Sequence, residues 1–446
     1  MPYLKRDIDN LLAEWKKRDI THRWPFLIRG ARQVGKSYTV TEFGEKEFEH
    51  MVKINFEQHP QYKACFDTLE PGQIVESISL LYKAAVKPGK TLLFLDEIQE
   101  CPKAITALRY FHEQMPELHV IGAGSLLEFA LEEENFKMPV GRVQYLYMKP
   151  FSFREFLSAV GETRALEKID TIDVDKPFNP VIHQHFLSLV KRYSIVGGMP
   201  RAVAEYAAGG SLAQCHQIHT IIIQTYRDDF GKYASKVKHK YLQKIFYSVP
   251  RMVGRKFKYS QVDDTIQSRE LKEALELLEK AGVVYRVKRT GGEGVPLEAN
   301  ADERHFKTVF LDIGLMQNLC GLNSETLMTE DFIQVNAGAL AEQFVGQELL
   351  AYHDPFEESS LYYWGREAKS SNAEVDYLTT YGKYAVPLEV KAGKTGALRS
   401  MHLFLEKYPV PVGLRVSQIP LNSILPVISV PFYAIKKIPQ LLTELI

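Results

Sequence analysis

The segment Gly30-Ala-Arg-Gln-Val-Gly-Lys-Ser37, entered from the apolar run Trp24 to Arg29, constrains this chain more than any other feature. Gly30 and Gly35 let the main chain come close enough to an anion to aim amides at it, which a Cβ would obstruct. Ala31, Arg32, Gln33 and Val34 complete the same cradle. Lys36 then supplies the cation that reaches β- and γ-phosphates, and Ser37 the hydroxyl that ligates Mg²⁺. Such a loop works when a strand delivers it and a helix continues from it, because the helix dipole and first-turn amides add to the anion site. Further β-like runs at Met51–Phe56, Thr91–Leu95, Leu118–Gly122 and Val143–Met148 alternate with helical periods such as Ile74, Val75, Ile78, Leu81 and Tyr82. That alternation predicts an α/β fold with a parallel sheet.

The run Leu92-Leu-Phe-Leu-Asp-Glu97 is the expected companion of the loop. Asp96 ends an apolar strand where its carboxylate can hold the magnesium shell, and Glu97 is placed to polarise an attacking water. A buried strand capped by two acids is the plainer alternative, and the upstream loop favours ATP with Mg²⁺. Ser125, after Gly122-Ala-Gly124, is either a hydroxyl that senses the nucleotide or simple turn chemistry. Arg142 and Arg201 are either phosphate-facing cations or members of surface ion pairs. Whether Arg142 serves its own subunit or a neighbour in an oligomer stays open.

The 446 residues suffice for three or four domains, each with its own core. Lys plus Arg and Asp plus Glu both total 55, so no overall polyanion signal exists and any basic surface must be local. One such region is 232–262, with nine Lys or Arg (Lys232, Lys236, Lys238, Lys240, Lys244, Arg251, Arg255, Lys256, Lys258) and no acid. The four scattered cysteines, Cys65, Cys101, Cys215 and Cys320, lack zinc-site spacing and fit a reducing compartment. The first residues carry no apolar signal core, and no stretch approaches the roughly 20 apolar residues that span a bilayer. A cytoplasmic protein without membrane partners is expected.

Ser152-Phe-Arg-Glu155 is a capping-box pattern, and helical periodicity dominates from there to about 235, with a break at Gly197-Gly-Met-Pro-Arg201. Helices over 241–281 followed by strand-like Val283–Arg289 and Lys307–Leu311 read as a winged helix. Its hairpin adds Arg286, Lys288 and Arg289 to the basic run, which is either a DNA backbone contact or a solvated, ion-paired face. The terminal part opens with a helix near Asn336–His353 and continues with strands at Leu361–Trp364, Val375–Thr380 and Ala385–Lys391, a helix near Leu398–Tyr408 and a strand near Val412. Glu389 and Lys391, two apart on a strand, share a face; Asp376 lies on the preceding strand and Glu342 on the helix before it. Acids converging with a lysine can hold one or two Mg²⁺ ions for phosphodiester cleavage, with Asp376 and Glu389 as metal ligands. Glu-x-Lys is also common as charge pairing on exposed strands.

On these residues the chain resembles the bacterial and archaeal AAA-like ATPases that join a P-loop domain to a C-terminal domain of unknown function. The motifs are Tyr3-Leu-Lys-Arg6, Gly30–Ser37, Leu95–Glu97, Gly124-Ser125, Gly141-Arg142, Pro150–Phe153, Gly197–Pro200, Phe310–Leu315 and Leu388–Lys391. The resemblance implies an AAA+-like ATPase core over 1–150, a helical lid over 151–235, a winged-helix domain over 236–330 and a PD-(D/E)xK, restriction-endonuclease-like domain over 331–446. It implies an ATPase whose nucleotide state is coupled to a DNA-facing, nuclease-like C-terminal region. The competing expectation is a nucleotide-regulated signalling or scaffold switch that binds protein or nucleic acid without cutting.

Overall fold

A computed structural model describes residues 3–125, 127, 141–233, 236–322, 337–366 and 373–446. The chain divides into two compact units. The first comprises Met1–Lys149 with Lys280–Gly282 and Asp354–Glu358; the second comprises Pro150–Glu279, Val283–His353 and Ser359–Ile446. Among the described residues no helix is long and apolar enough to cross a membrane.

In the first unit β1 (Phe26–Arg29), β2 (His50–Asn55), β3 (Thr91–Asp96), β4 (His119–Ala123) and β5 (Gln144–Tyr147) form one sheet in the order β2-β3-β4-β1-β5. Every pairing is parallel. Strands β1, β3 and β4 are buried along their whole length, the reason they read as unbroken apolar runs rather than as alternating ones. Leu93, Leu95, Ile98, Ile74, Leu108 and Phe111 meet in the main core, where full burial of each such side chain stabilises by about 1.5–3 kcal/mol. Register does the positioning: Asp96 pairs with Ala123, and Ala123 with Ile28. The loop after β1, the acid ending β3 and the turn after β4 therefore share one edge of the sheet, where open α/β sheets bind ligands.

The second unit begins with the helix Phe153–Ala159, whose capping box forms as the sequence predicts: Glu155 N donates to Ser152 Oγ (3.2 Å) and Ser152 N to Glu155 Oε2 (2.9 Å). Helices Pro180–Val196, Pro200–Ala207, Leu212–Tyr233, Lys236–Met252 and Ser268–Lys280 follow. Strands β6 (Val284–Thr290), β7 (Asp302–Phe310), β8 (Leu361–Gly365), β9 (Glu374–Tyr381), β10 (Tyr384–Val390), β11 (Gly413–Ser417), β12 (Asn422–Ile424) and β13 (Val427–Pro431) form a mixed sheet, ordered β12-β13-β11-β10-β9-β8-β6-β7. This departs from the expected separation of a winged helix at 236–330 from a terminal domain at 331–446. The β6–β7 hairpin is no free-standing wing, because the second edge of β6 is taken by β8 in parallel, Val287 against Leu361 through Thr290 against Trp364. An exposed edge is a pairing liability, and a distant strand covers it. The β12–β13 pair and the closing helix Ile438–Leu445 were not foreseen from sequence.

Three motifs of the resemblance meet inside this unit. Gly198 N donates to Asp312 Oδ2 (2.6 Å), Leu315 N to Asp312 Oδ1 (3.0 Å), and Phe151 N to Gly198 O (2.7 Å). Gly197 has φ +71°, and a Cβ there would lie 2.4 Å from Asp312 Oδ1. Gln347 Nε2 reaches Tyr193 Oη (2.8 Å), and Glu348 Oε1 accepts from Phe153 N (2.9 Å). These motifs hold main chain together in a buried place where unsatisfied amides would cost about 1–3 kcal/mol each.

Candidate functional site

Gly30 has φ +145°, and a Cβ on it would sit 2.2 Å from the main-chain oxygen of Met148, so only glycine allows this turn. Gly35, at φ +98°, caps the helix Lys36–Glu47, and Gln33 is also left-handed at φ +63°. The loop is braced from the N-terminal segment: the buried Arg6 donates to Val34 O (3.1 Å) and Lys149 O (2.7 Å).

Lys36 is buried, with Nζ donating to Gly30 O and Ala31 O, both at 2.8 Å. Burial lowers its pKa to about 8, against the opposing pull of Glu97 and Asp96. The ammonium thus rests on neutral carbonyls, an arrangement that an incoming anion improves. Ser37 Oγ donates to Asp96 Oδ1 (2.7 Å), joining the two predicted metal-holding groups directly. Asp96 Oδ2 receives Asn55 Nδ2 and Lys53 Nζ, both at 3.3 Å. Sequence reading missed these two β2 residues; the available signal was their period-two spacing on the strand beside β3. A hydroxyl and a carboxylate already in contact beneath a glycine cradle fit Mg²⁺ with triphosphate oxygens.

Glu97 stands just past β3 in a left-handed conformation (φ 49°, ψ 47°), a strained state for a residue with a Cβ. Its carboxylate accepts from Gln99 Nε2 at 2.7 Å. Ser125 follows β4 on the same sheet edge, its hydroxyl buried without a hydrogen-bond partner. Arg142 is not brought to the loop. It precedes β5, whose Gln144 pairs with the first residue of β1, at the sheet edge opposite Gly30. There it is exposed and bonded to Glu113 (3.1 Å) and to Gly141 O (2.9 Å). Of the two readings open for it, the surface ion pair is the one seen among the described residues. Arg201 is an exposed residue in the first turn of the helix Pro200–Ala207 in the second unit.

In that unit, Glu342, Asp376, Glu389 and Lys391 do converge, joined by two residues that sequence reading overlooked. The Nζ of Lys307, on β7, lies 2.6 Å from Glu374 Oε1 and 3.2 Å from both Glu342 Oε2 and Asp376 Oδ1. Burial opposes its charge, but Glu342, Asp376 and Glu374 outweigh burial and hold the ammonium well above the ordinary lysine range. Asp376 Oδ2 accepts from Val390 N (2.9 Å), and Lys391 Nζ donates to Glu389 Oε1 (2.6 Å). Burial and the neighbouring Asp376 raise both Glu342 and Glu389 to about 7. Of the two expected Mg²⁺ ligands, Asp376 is bonded to the Lys307 ammonium, while Glu389 has one oxygen on Lys391 and Oε2 buried without a hydrogen-bond partner. Among the described residues no group of three His, Cys, Asp or Glu side chains is arranged to hold a metal ion.

Three members of the basic run are paired with acids outside it, as are the three hairpin cations. Lys238 pairs with Glu273 (2.9 Å), Lys256 with Glu374 (3.4 Å), and Lys244 with Asp263. Arg286 pairs with Glu279 (2.8 Å), Lys288 with Glu298 (2.8 Å), and Arg289 with Asp302 (2.7 Å). Lys240, Arg251, Arg255 and Lys258 stay exposed, while the side chains of Lys232 and Lys236 lie outside the described residues.

Three family models match parts of the chain: an AAA domain over residues 22–157, and domains of unknown function over 187–326 (DUF8612) and 337–431 (DUF4143). No curated protein matches the chain. Among solved structures, a Walker-type ATPase of Pyrococcus abyssi is 16% identical, covering 71% of this chain and 96% of that one with a TM-score of 0.44. The ORC2 protein of Aeropyrum pernix is 11% identical, covering 74% and 97% with a TM-score of 0.35. The RuvB branch-migration motor of Thermotoga maritima is 14% identical, covering 63% and 89% with a TM-score of 0.29. These likenesses are too distant to bear on function. With the phosphate loop, the Ser37–Asp96 contact, the parallel sheet and the family match over 22–157 in agreement, the N-terminal unit carries a P-loop, AAA-like ATPase domain.

Proposed function

We propose that the chain binds Mg·ATP at Gly30–Ser37 and hydrolyses it. The observation that carries this reading is the hydrogen bond from Ser37 to Asp96 beside a glycine-permitted loop whose buried Lys36, among the described residues, donates to the carbonyls of Gly30 and Ala31. Loop amides and Lys36 bind the β- and γ-phosphates. Mg²⁺ bound at Ser37 and Asp96 supplies charge neutralisation of the phosphate oxygens. Glu97, released from Gln99, accepts a proton from water, and Ser125 offers its unpartnered hydroxyl to the γ-phosphate or to that water. Lys53 and Asn55 fix the orientation of the Asp96 carboxylate.

Two substitutions test this together. Lys36→Ala should lower ATP affinity in calorimetry by about 100-fold or more, two charge-assisted bonds being worth about 3–6 kcal/mol. Glu97→Gln should keep ATP affinity within about threefold while turnover falls about 10²- to 10³-fold. Unchanged binding by the first variant, or unchanged turnover by the second, rejects the site.

For the C-terminal half, the Lys307 cluster favours the second expectation, a nucleotide-regulated scaffold that binds a partner without cutting. DNA contact rests on Lys240, Arg251, Arg255 and Lys258, exposed members of the basic run outside the ion pairs with Glu273, Asp263 and Glu374. Arg142, paired with Glu113 at the far sheet edge, is read as a surface ion pair without a role at its own nucleotide.

A further inference from the structure

We propose that Lys307 is a built-in cation that closes the Glu342, Glu374 and Asp376 pocket to divalent metal, so that this pocket performs no metal-dependent phosphodiester cleavage and becomes a metal site only when the ammonium is removed. Each acid comes from a defined place. Glu374 and Asp376 lie two apart on β9 and face the same side, and Glu342 projects from the helix Ala337–Ala351. Lys307 enters from β7, its side chain 3% exposed, and its three ammonium protons have three carboxylates within 2.6–3.2 Å. The number of donors matches the number of acids.

Other oxygens of the three acids are engaged too, whereas the neighbouring Glu389 keeps Oε2 buried without a hydrogen-bond partner. Asp376 has one oxygen on Lys307 and the other on the Val390 amide. Glu374 also receives Lys256 at 3.4 Å, and Glu389 has one oxygen on Lys391. A Mg²⁺ ion requires near-octahedral oxygen ligands at about 2.0–2.1 Å. It could obtain Asp376 and Glu342 together only by expelling Lys307, whose Nζ would otherwise press a positive charge against the ion. A lysine on the neighbouring hairpin thus does permanently what a bound metal would do reversibly.

The test uses the full chain without nucleotide, carrying Ser37→Ala so that the phosphate loop contributes no hydroxyl ligand. Mn²⁺ is titrated and followed by its electron paramagnetic signal and by thermal unfolding. The parent should take up no Mn²⁺ that Asp376→Asn removes. Adding Lys307→Met should create one Mn²⁺ site and make the melting temperature rise with Mn²⁺, and adding Asp376→Asn to that variant should abolish both responses. Uptake by the parent that is sensitive to Asp376→Asn overturns the proposal, as does a folded Lys307→Met protein that takes up none. Should Lys307→Met fail to fold, Glu374→Gln loosens the cage while leaving the ammonium in place: absence of Mn²⁺ uptake there supports the proposal, and uptake overturns it.

Discussion

Lys36 and Lys307 are both buried, and their surroundings are opposite. Lys36 rests on two neutral carbonyls of its own loop, and burial drags its pKa down to about 8. Lys307 sits among three carboxylates that outweigh the same burial penalty and hold it charged. Removing an ion from water is costly, and the cost must be met by an opposite charge or relieved by losing the proton. At Lys307 the chain supplies the opposite charge itself; at Lys36 that role is left to a ligand. A buried cation with incomplete compensation marks a binding site, whereas one fully compensated marks a closed structure.

The sharpest way to break this contrast is to remove each ammonium and measure unfolding without ligand. Lys307→Met should destabilise the second unit by about 3–5 kcal/mol, because it strands buried carboxylates. Lys36→Met should leave the stability of the first unit unchanged or raise it, since an uncompensated ion is deleted. Equal losses at the two positions would erase the distinction. A smaller effect follows from the loop's dependence on main chain held from elsewhere. Arg6→Ala should cost about 1.5–3 kcal/mol in thermal unfolding and weaken ATP binding, through loss of the bonds to Val34 O and Lys149 O.

The smallest effect is in pH. In the free protein Lys36 sheds its proton above about pH 8, and a bound triphosphate, an opposite charge beside it, should raise its pKa again. Binding above that pH therefore takes up a proton, so affinity should be flat below pH 8 and fall by at most about tenfold per unit above it. Calorimetry in buffers of differing ionisation enthalpy measures the uptake. For Lys307 the sign is reversed. Its folded pKa is raised, so its contribution is complete below the ordinary lysine value and is lost only above it. The second unit should then keep its melting temperature from pH 8 to 10 while ATP binding weakens.

Legibility from sequence differed between the halves for a physical reason. The phosphate loop, β1 to β5 and the capping box at Ser152 follow from neighbours in the chain, and local pattern reports local structure. Lys53 and Asn55 escaped notice because their value lies in β2 pairing with β3, a fact of register. The wing was misjudged because a hairpin's sequence does not say whether its outer edge meets solvent or, as here, β8. The basic run lost three of its nine cations, Lys238, Lys244 and Lys256, to acids outside it, a pairing that the sequence of the run does not display.

What the amino-acid order determined alone was the identity of the anion cradle, since Gly30, Gly35, Lys36 and Ser37 sit within eight consecutive residues, although Arg6, Asp96 and Met148 brace it from afar. It also placed Glu342, Asp376, Glu389 and Lys391 on elements able to converge. Only the tertiary structure decided what that convergence means. The cation occupying the acids is Lys307, and it arrives from a strand whose position in the sheet is set by long-range pairing, which no local periodicity encodes.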